Sequence, residues 1–302
     1  MNDVLAPTLN SIALIGFGEA GFLLGQGLAE AGVKVAAYDI KVHDPDQRPS
    51  LEARAQQAGV MLHAGLEAAV SGADLLISAV TASSAAQAAV DAAKCMSAGQ
   101  YFLDINSVSP ATKHADHDAI EAAGGFYVES AVMAPVPPYG LKVPMLLGGG
   151  HASALSDSLN KLGLRTKAVS TQVGVASAIK MCRSVMIKGL EALTVECMTA
   201  ARRYGAEDAV LASLNETFPG MGWTDQLPHY LISRVAEHGR RRAAEMREVM
   251  ETLQDVGVIP LMAQATAQTQ DALVDAMEAQ GMAYDTENDF VWQNFADQLK
   301  KG

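Results

Sequence analysis

The sequence predicts an α/β chain whose N-terminal half carries a doubly wound parallel sheet and whose C-terminal half is all-α. Three observations predict this. A glycine-rich turn joins an apolar run to a helical pattern over residues 11–31. Apolar runs and helical patterns then alternate as far as residue 168, and from Thr171 onward the strand signal is almost gone while helical periodicity persists. Strand–helix–strand alternation demands parallel strands joined by crossovers, and ligands of such sheets bind beyond the carboxyl ends of the strands. The expected parts are residues 1–170 and residues 171–302.

The first strand, residues 11–15, runs into Gly16-Phe17-Gly18-Glu19-Ala20-Gly21, a G-x-G-x-x-G spacing. Gly16 permits the tight turn, Gly18 lets the backbone approach a pyrophosphate, and Gly21 allows helix to pack closely on strand. The following helix offers its first N–H groups and positive dipole end to phosphate. A second run, residues 33–38, ends in Asp39, about 20 residues past the glycines, where an acid accepts from the adenosine ribose. These residues predict a Rossmann dinucleotide site. NAD is the expected cofactor, with NADP kept open by nearby Lys41 and Arg48.

A helix near 50–59 and a short strand at 60–63 follow. The strand at 73–80 brings Val80 and Thr81 to the cofactor side at its carboxyl end. Next come an Ala-rich helix at 83–96, a strand at 101–105, a helix at 112–123 and a strand at 126–131. Segments 144–148 and 165–169 complete the sheet. The helical half is broken at Gly205, Pro219-Gly220, Pro228 and residues 257–260.

Composition limits the function classes. Apolar residues make up 49 % and charged residues 19 % of 302, which excludes disorder. A net charge of −12 argues against a nucleic-acid partner, which needs a basic face. Cys95, Cys182 and Cys197 lie in apolar helical contexts without metal spacing, so buried free thiols in a reducing compartment are expected. His43, His63, His114, His117, His151 and His229 show no ligand spacing, so no metal site is expected. Residues 1–10 lack the layout of a signal peptide and no long apolar run is present. A cytoplasmic protein without a membrane partner is expected.

The helix over 174–204 is apolar nearly all round and is expected to be buried, with Lys180, Arg183, Ser184 and Glu191 in one polar stripe and Lys188 at its margin. A lysine there either snorkels to solvent or serves as a general acid/base, its pKa lowered by partial burial and by positive neighbours such as Arg183. The run His238-Gly239-Arg240-Arg241-Arg242 reads either as a solvated face with Arg241 pairing Glu245, or as a contact for an anionic substrate.

Four motifs in order resemble the β-hydroxyacid dehydrogenase superfamily, which includes 3-hydroxyisobutyrate and 6-phosphogluconate dehydrogenases. They are the glycine loop; Asp104-Ile105-Asn106-Ser107-Val108-Ser109-Pro110; Glu129-Ser130-Ala131-Val132-Met133-Ala134-Pro135, in place of the family's Asp-Ala-Pro-Val-Ser-Gly-Gly; and Gly174-Val175-Ala176-Ser177-Ala178-Ile179-Lys180, similar to its Gly-x-Gly-x-x-x-Lys. The C-terminal half resembles a divergent branch. The resemblance implies that Lys180 is catalytic and that Asn106 borders both cofactor and substrate. It implies further that Ser107, Met133, Ala134, Pro135, Arg183 and Ser184 line the substrate. It also implies a homodimer or higher homo-oligomer and a small anionic hydroxy acid as substrate.

Three departures matter. Met133-Ala134-Pro135 replaces Ser-Gly-Gly and loses a backbone donor at Pro135. Ser184 stands where the family has Asn, beside Arg183, which can clamp a carboxylate or phosphate. Ile187 occupies the position of the glutamate used in decarboxylation by the 6-phosphogluconate type, so plain oxidation is favoured. The alternatives are a decarboxylating enzyme using Lys188 or Glu191, an imine reductase, which lacks this lysine, and a non-catalytic cofactor sensor.

Overall fold

The computed structural model describes residues 6–286 and 289–299. It divides into two compact units, one ending at Lys180 and the other beginning at Met181.

In the first unit β1 (Ser11–Ile15), β2 (Lys34–Tyr38), β3 (Met61–Leu62), β4 (Leu75–Ser78), β5 (Tyr101–Asp104) and β6 (Phe126–Val132) run parallel. β7 (Pro144–Gly148) turns back antiparallel to β6, and β8 (Arg165–Ser170) pairs parallel with β7. The strand order is β3-β2-β1-β4-β5-β6-β7-β8. Its direction of winding reverses between β1 and β4, where a doubly wound sheet opens its ligand crevice. The register Ile15↔Ser78, Ser78↔Asp104 and Asp104↔Glu129 sets the carboxyl ends of the central strands level. The loops that follow β1, β4 and β5 therefore leave the sheet side by side.

The central strands are apolar because both their faces are covered. Leu14, Leu75, Ile77 and Leu103 belong to one core, and Ala13, Leu76, Phe102 and Tyr127 to another. The flanking helices are α1 (Glu19–Glu30), α2 (Arg48–Ala58), α3 (Leu66–Val70), α4 (Ala85–Cys95), α5 (Pro110–Ala122) and α6 (Ala152–Lys161). α5 begins earlier than its apolar periodicity suggests. The Ser109 hydroxyl accepts the Thr112 N–H at 3.3 Å, and Pro110 fills a first-turn position that needs no donor. The sheet is thus mostly rather than wholly parallel. No α-helix separates β6 from β7, and an antiparallel return needs none.

α7 (Val175–Tyr204) begins in the first unit and continues into the second, which adds α8 (Glu207–Thr217), α9 (Leu227–Asp255), α10 (Leu261–Ala279) and α11 (Trp292–Leu299). Pro228 lies in the first turn of α9, so it starts that helix. A Cβ on Gly239 would stand 2.6 Å from Val274 Cγ2 and 3.0 Å from Gln270 O, so glycine there lets α9 and α10 close on each other. Met198, Val235, Met277 and Trp292 centre this unit's core.

The thiols differ from expectation: Cys182 and Cys197 are exposed and Cys95 is half-buried. At 100° per residue both exposed thiols share a stripe about 60° wide with Met186 and Leu193, which are 74 % and 55 % exposed. The apolar circumference of α7 is therefore not all core. Among the described residues no helix is long and apolar enough to cross a membrane.

Candidate active site

The glycine loop is built as its spacing requires. Gly16 has φ +91°, and a Cβ there would meet Ala79 O at 2.5 Å, while a Cβ on Gly21 would meet Gly16 O at 2.3 Å. A Cβ on Gly18 would meet nothing within 4 Å among the described residues, and the residue is exposed, leaving the backbone open to approach. Glu19 and Ala20 follow in the first turn of α1, where N–H groups have no intrahelical acceptor. Phe17 is fully buried, and its N–H donates to Asp39 Oδ2 at 2.8 Å. Asp39 Oδ1 accepts the Lys41 N–H at 3.0 Å. Each carboxylate oxygen keeps acceptor capacity for a ribose hydroxyl. Asp39 thus also ties the glycine loop to the end of β2, a role its position in the sequence does not announce. An open Gly18 between two sterically required glycines fits a dinucleotide.

Asn106, 4 % exposed, is held at every polar group. Its N–H donates to Asp104 Oδ1 at 2.9 Å, its Oδ1 accepts from Val80 N at 2.8 Å, and its Nδ2 donates to Ser78 Oγ at 2.9 Å. It latches the loop after β5 to the loop after β4. Thr81, the next residue, is exposed, with its hydroxyl bonded among Ser83 and Ser84. Lys180 Nζ donates to Ser107 Oγ, and both residues are half-buried. In the third motif the Met133 N–H is taken by Pro144 O at 2.9 Å and Pro135 has none. These three residues therefore offer at most one backbone donor to a ligand, that of Ala134.

Behind Asn106 lies a charged cluster that the sequence reading missed. Lys113 Nζ, fully buried, donates to Asp104 Oδ2 and to Asp104 O, each at 2.9 Å. The Tyr127 hydroxyl donates to the same Oδ2 at 2.9 Å. Asp116 sits beside them, and its Oδ2 has no hydrogen-bond partner among the described residues. Burial first, and then the Asp104 charge, push the Asp116 carboxyl up to about 7, against the pull of Lys113. A group held above its unfolded value destabilises the fold progressively as pH rises from the ordinary carboxylate range to the folded value. Asp116→Asn should therefore raise the melting temperature by a few degrees at pH 8, each kcal/mol shifting a domain of this size by about 2–4 °C. At pH 4 it should change little, and melting curves at the two pH values check this.

The remaining candidates lie in the second unit. Arg183 is exposed, whereas Ser184 is buried and its Oγ accepts from Lys188 Nζ at 3.2 Å. Lys188 also pairs with Glu245 Oε2 at 2.8 Å. Glu191, 1 % exposed, is gripped by Arg242 through Nε at 2.8 Å and through Nη2. Arg240 pairs with Asp271, Asp275 and Glu278. The arginine run thus divides between an inward clamp and an outward network, and Glu245 reaches Lys188. Among the described residues no group of three or more His, Cys, Asp or Glu is placed to hold a metal ion.

Residues 11–140 match the NAD binding domain of 6-phosphogluconate dehydrogenase, and residues 201–273 match a domain of unknown function (DUF1932). A conserved hypothetical protein from Sinorhizobium meliloti 1021 is 39 % identical over 99 % of both chains, with a TM-score of 0.79. A conserved protein of unknown function, described as structurally similar to 3-hydroxyacid dehydrogenases, is 32 % identical. That match covers 87 % of this chain and 98 % of the other, with a TM-score of 0.70. The Mycobacterium tuberculosis 3-hydroxyisobutyrate dehydrogenase, solved with L-serine, shares the fold at a TM-score of 0.74 and 15 % identity, over 97 % and 100 % of the two chains. With an NAD-binding N-terminal domain, a helical C-terminal region and these relatives along its length, the chain belongs to the β-hydroxyacid dehydrogenase superfamily.

Proposed function

We propose that the chain is an NAD(P)-dependent oxidoreductase acting on the CH–OH group of a small anionic hydroxy acid, with Lys180 as general acid/base. The observation that supports this most is the Lys180–Ser107 contact beside the Asn106 latch, at the carboxyl ends of the central strands. When bound, nicotinamide supplies the hydride acceptor. The residues that would hold the cofactor are Gly16 to Gly21, through the open backbone at Gly18, together with Asp39 for the ribose and Val80, Thr81 and Asn106 toward the ring. Lys180 Nζ takes the proton from the substrate hydroxyl and returns it in the reverse direction. The Ser107 hydroxyl accepts a hydrogen bond from that amine, which orients the amine. Arg183, exposed three residues after Lys180 on the same helix, is the charge this reading offers the substrate anion.

Oxidation without decarboxylation is favoured because Glu191 is committed to Arg242 and Lys188 to Glu245, leaving Ile187 in the acid's place. Homo-oligomer formation and a cytoplasmic setting belong to the same reading. The exposed stripe of Cys182, Met186, Leu193 and Cys197 supports a covering copy.

The test is cofactor absorbance over a panel of hydroxy acids with NAD and with NADP. At least one acid should be oxidised, with a higher kcat/KM for NAD, because the Asp39 carboxylate repels a 2′-phosphate. A protein that binds NAD yet oxidises none of the panel would be a cofactor sensor. A tenfold preference for NADP would mean that Lys41 or Arg48 outweighs Asp39.

A further inference from the structure

We propose that Glu129 is a positioning residue for Lys180: its carboxylate pins the first turn of α7 to the sheet and so holds the lysine amine at Ser107. This rests on the reading of Lys180 as the acid/base. Glu129 lies in the middle of the sheet, on β6, and is fully buried. A buried carboxylate is costly unless its oxygens are satisfied. Here Oε1 accepts the Ala176 N–H at 2.9 Å and Oε2 the Ser177 N–H at 3.2 Å. Both donors belong to the first turn of α7, where N–H groups lack intrahelical acceptors and a negative charge meets the positive dipole end.

The space for that carboxylate is built in. Its strand neighbour across the antiparallel pair is Gly148, and a Cβ there would stand 2.4 Å from Glu129 Oε1 and 3.1 Å from Cδ. The chain enters α7 through Gly174 at φ +93°, where a Cβ would meet His114 Nε2 at 2.9 Å. The Ser177 hydroxyl closes the turn by donating to Gly174 O at 3.0 Å. Lys180 follows Ala176 by four residues and Ser177 by three, so it shares their face of the helix. Helical side chains lean toward the N-terminus, so the lysine stem lies over the very turn that Glu129 holds. A shift of about 1 Å in such a group is worth roughly a hundredfold in rate, and the clamp removes the freedom for that shift.

The test uses the full chain without substrate, so its failure is distinct from failure of the dehydrogenase reading. Amide exchange at Ala176 and Ser177 and the 13C resonance of reductively dimethylated Lys180 are followed by NMR in native protein, Glu129→Gln and Gly148→Ala. Glu129→Gln presents an N–H₂ to one of the two donors, and Gly148→Ala pushes the carboxylate aside without altering it. In both variants the two amides should exchange about tenfold faster or more, the equivalent of one lost charge-assisted bond. The Lys180 signal should move while those of Lys94 and Lys167 stay. Faster amides with an unmoved Lys180 signal would reduce Glu129 to a helix cap and overturn the proposal, as would unchanged amides. Should Glu129→Gln fail to fold, Gly148→Ala decides on the same two readouts. Once a substrate is in hand, kcat should fall about tenfold or more with KM little changed.

Discussion

Replacing Lys180 by Met should lower kcat by at least about a hundredfold, the lower bound for a general acid–base group, while NAD affinity changes by less than about twofold. Methionine keeps the length and the apolar stem and removes only the amine that donates to Ser107 Oγ. The groups proposed to hold the cofactor, the open backbone at Gly18 and the Asp39 carboxylate, belong to other loops and are untouched. Steady-state kinetics on the substrate found by the panel, with cofactor titration by fluorescence, separate the two effects. A variant keeping more than a tenth of native turnover would move the base elsewhere. Lys188, the next lysine on the helix, is a poor substitute because Glu245 and Ser184 already hold it.

Arg242→Met should destabilise the second unit by about 3–5 kcal/mol, the range for leaving a buried charge without its partner. Arg242 is only 12 % exposed in its side chain and Glu191 is 1 % exposed, so the carboxylate has no water to turn to. Arg240→Ala, two residues earlier in the same run, removes an outward pairing at a side chain 45 % exposed and should leave the urea midpoint almost unchanged. The Glu191 carboxyl is already raised by burial, with Arg242 pulling it down. Losing the arginine raises it further. The penalty of a raised carboxyl grows as pH climbs above the unfolded value, so the deficit of Arg242→Met should be larger at pH 8 than at pH 5. Urea unfolding at both pH values reads this, and Arg242→Met combined with Glu191→Leu should recover most of the loss.

These two arginines show where the sequence is legible and where it is not. The glycine loop, Asp39 and Lys180 stand out because their signals are local: a spacing, a strand end, an amine in the polar stripe of a largely apolar helix. Partnership across the fold is not local. Asp104, Lys113, Asp116 and Tyr127 are spread over three elements, and Lys113 reads along the chain as one more polar residue of α5. Glu129 is similar, since its partners begin at Ala176. Its signal is a carboxylate inside a mostly apolar strand, which demands a buried donor. The reversal of β7 was also open to inference, because residues 133–143 show no helical pattern for a parallel crossover. α6 is hard to read along the chain because Ala152–Lys161 carries only two large apolar residues, Leu155 and Leu159, among serines and other polar residues.

The exposed thiols of α7 give the protein a built-in ruler and a built-in reporter. Cys182 and Cys197 lie on one stripe, and their separation along the helix corresponds to about 22 Å at 1.5 Å per residue. A pair of spin or fluorescent labels there measures helix continuity directly, against the half-buried Cys95 as a slow-reacting internal standard. The rate of alkylation at the two sites also reads coverage. If a second copy shields Met186 and Leu193, labelling slows with protein concentration by mass action, and the dilution at which it recovers is the dissociation constant of the assembly.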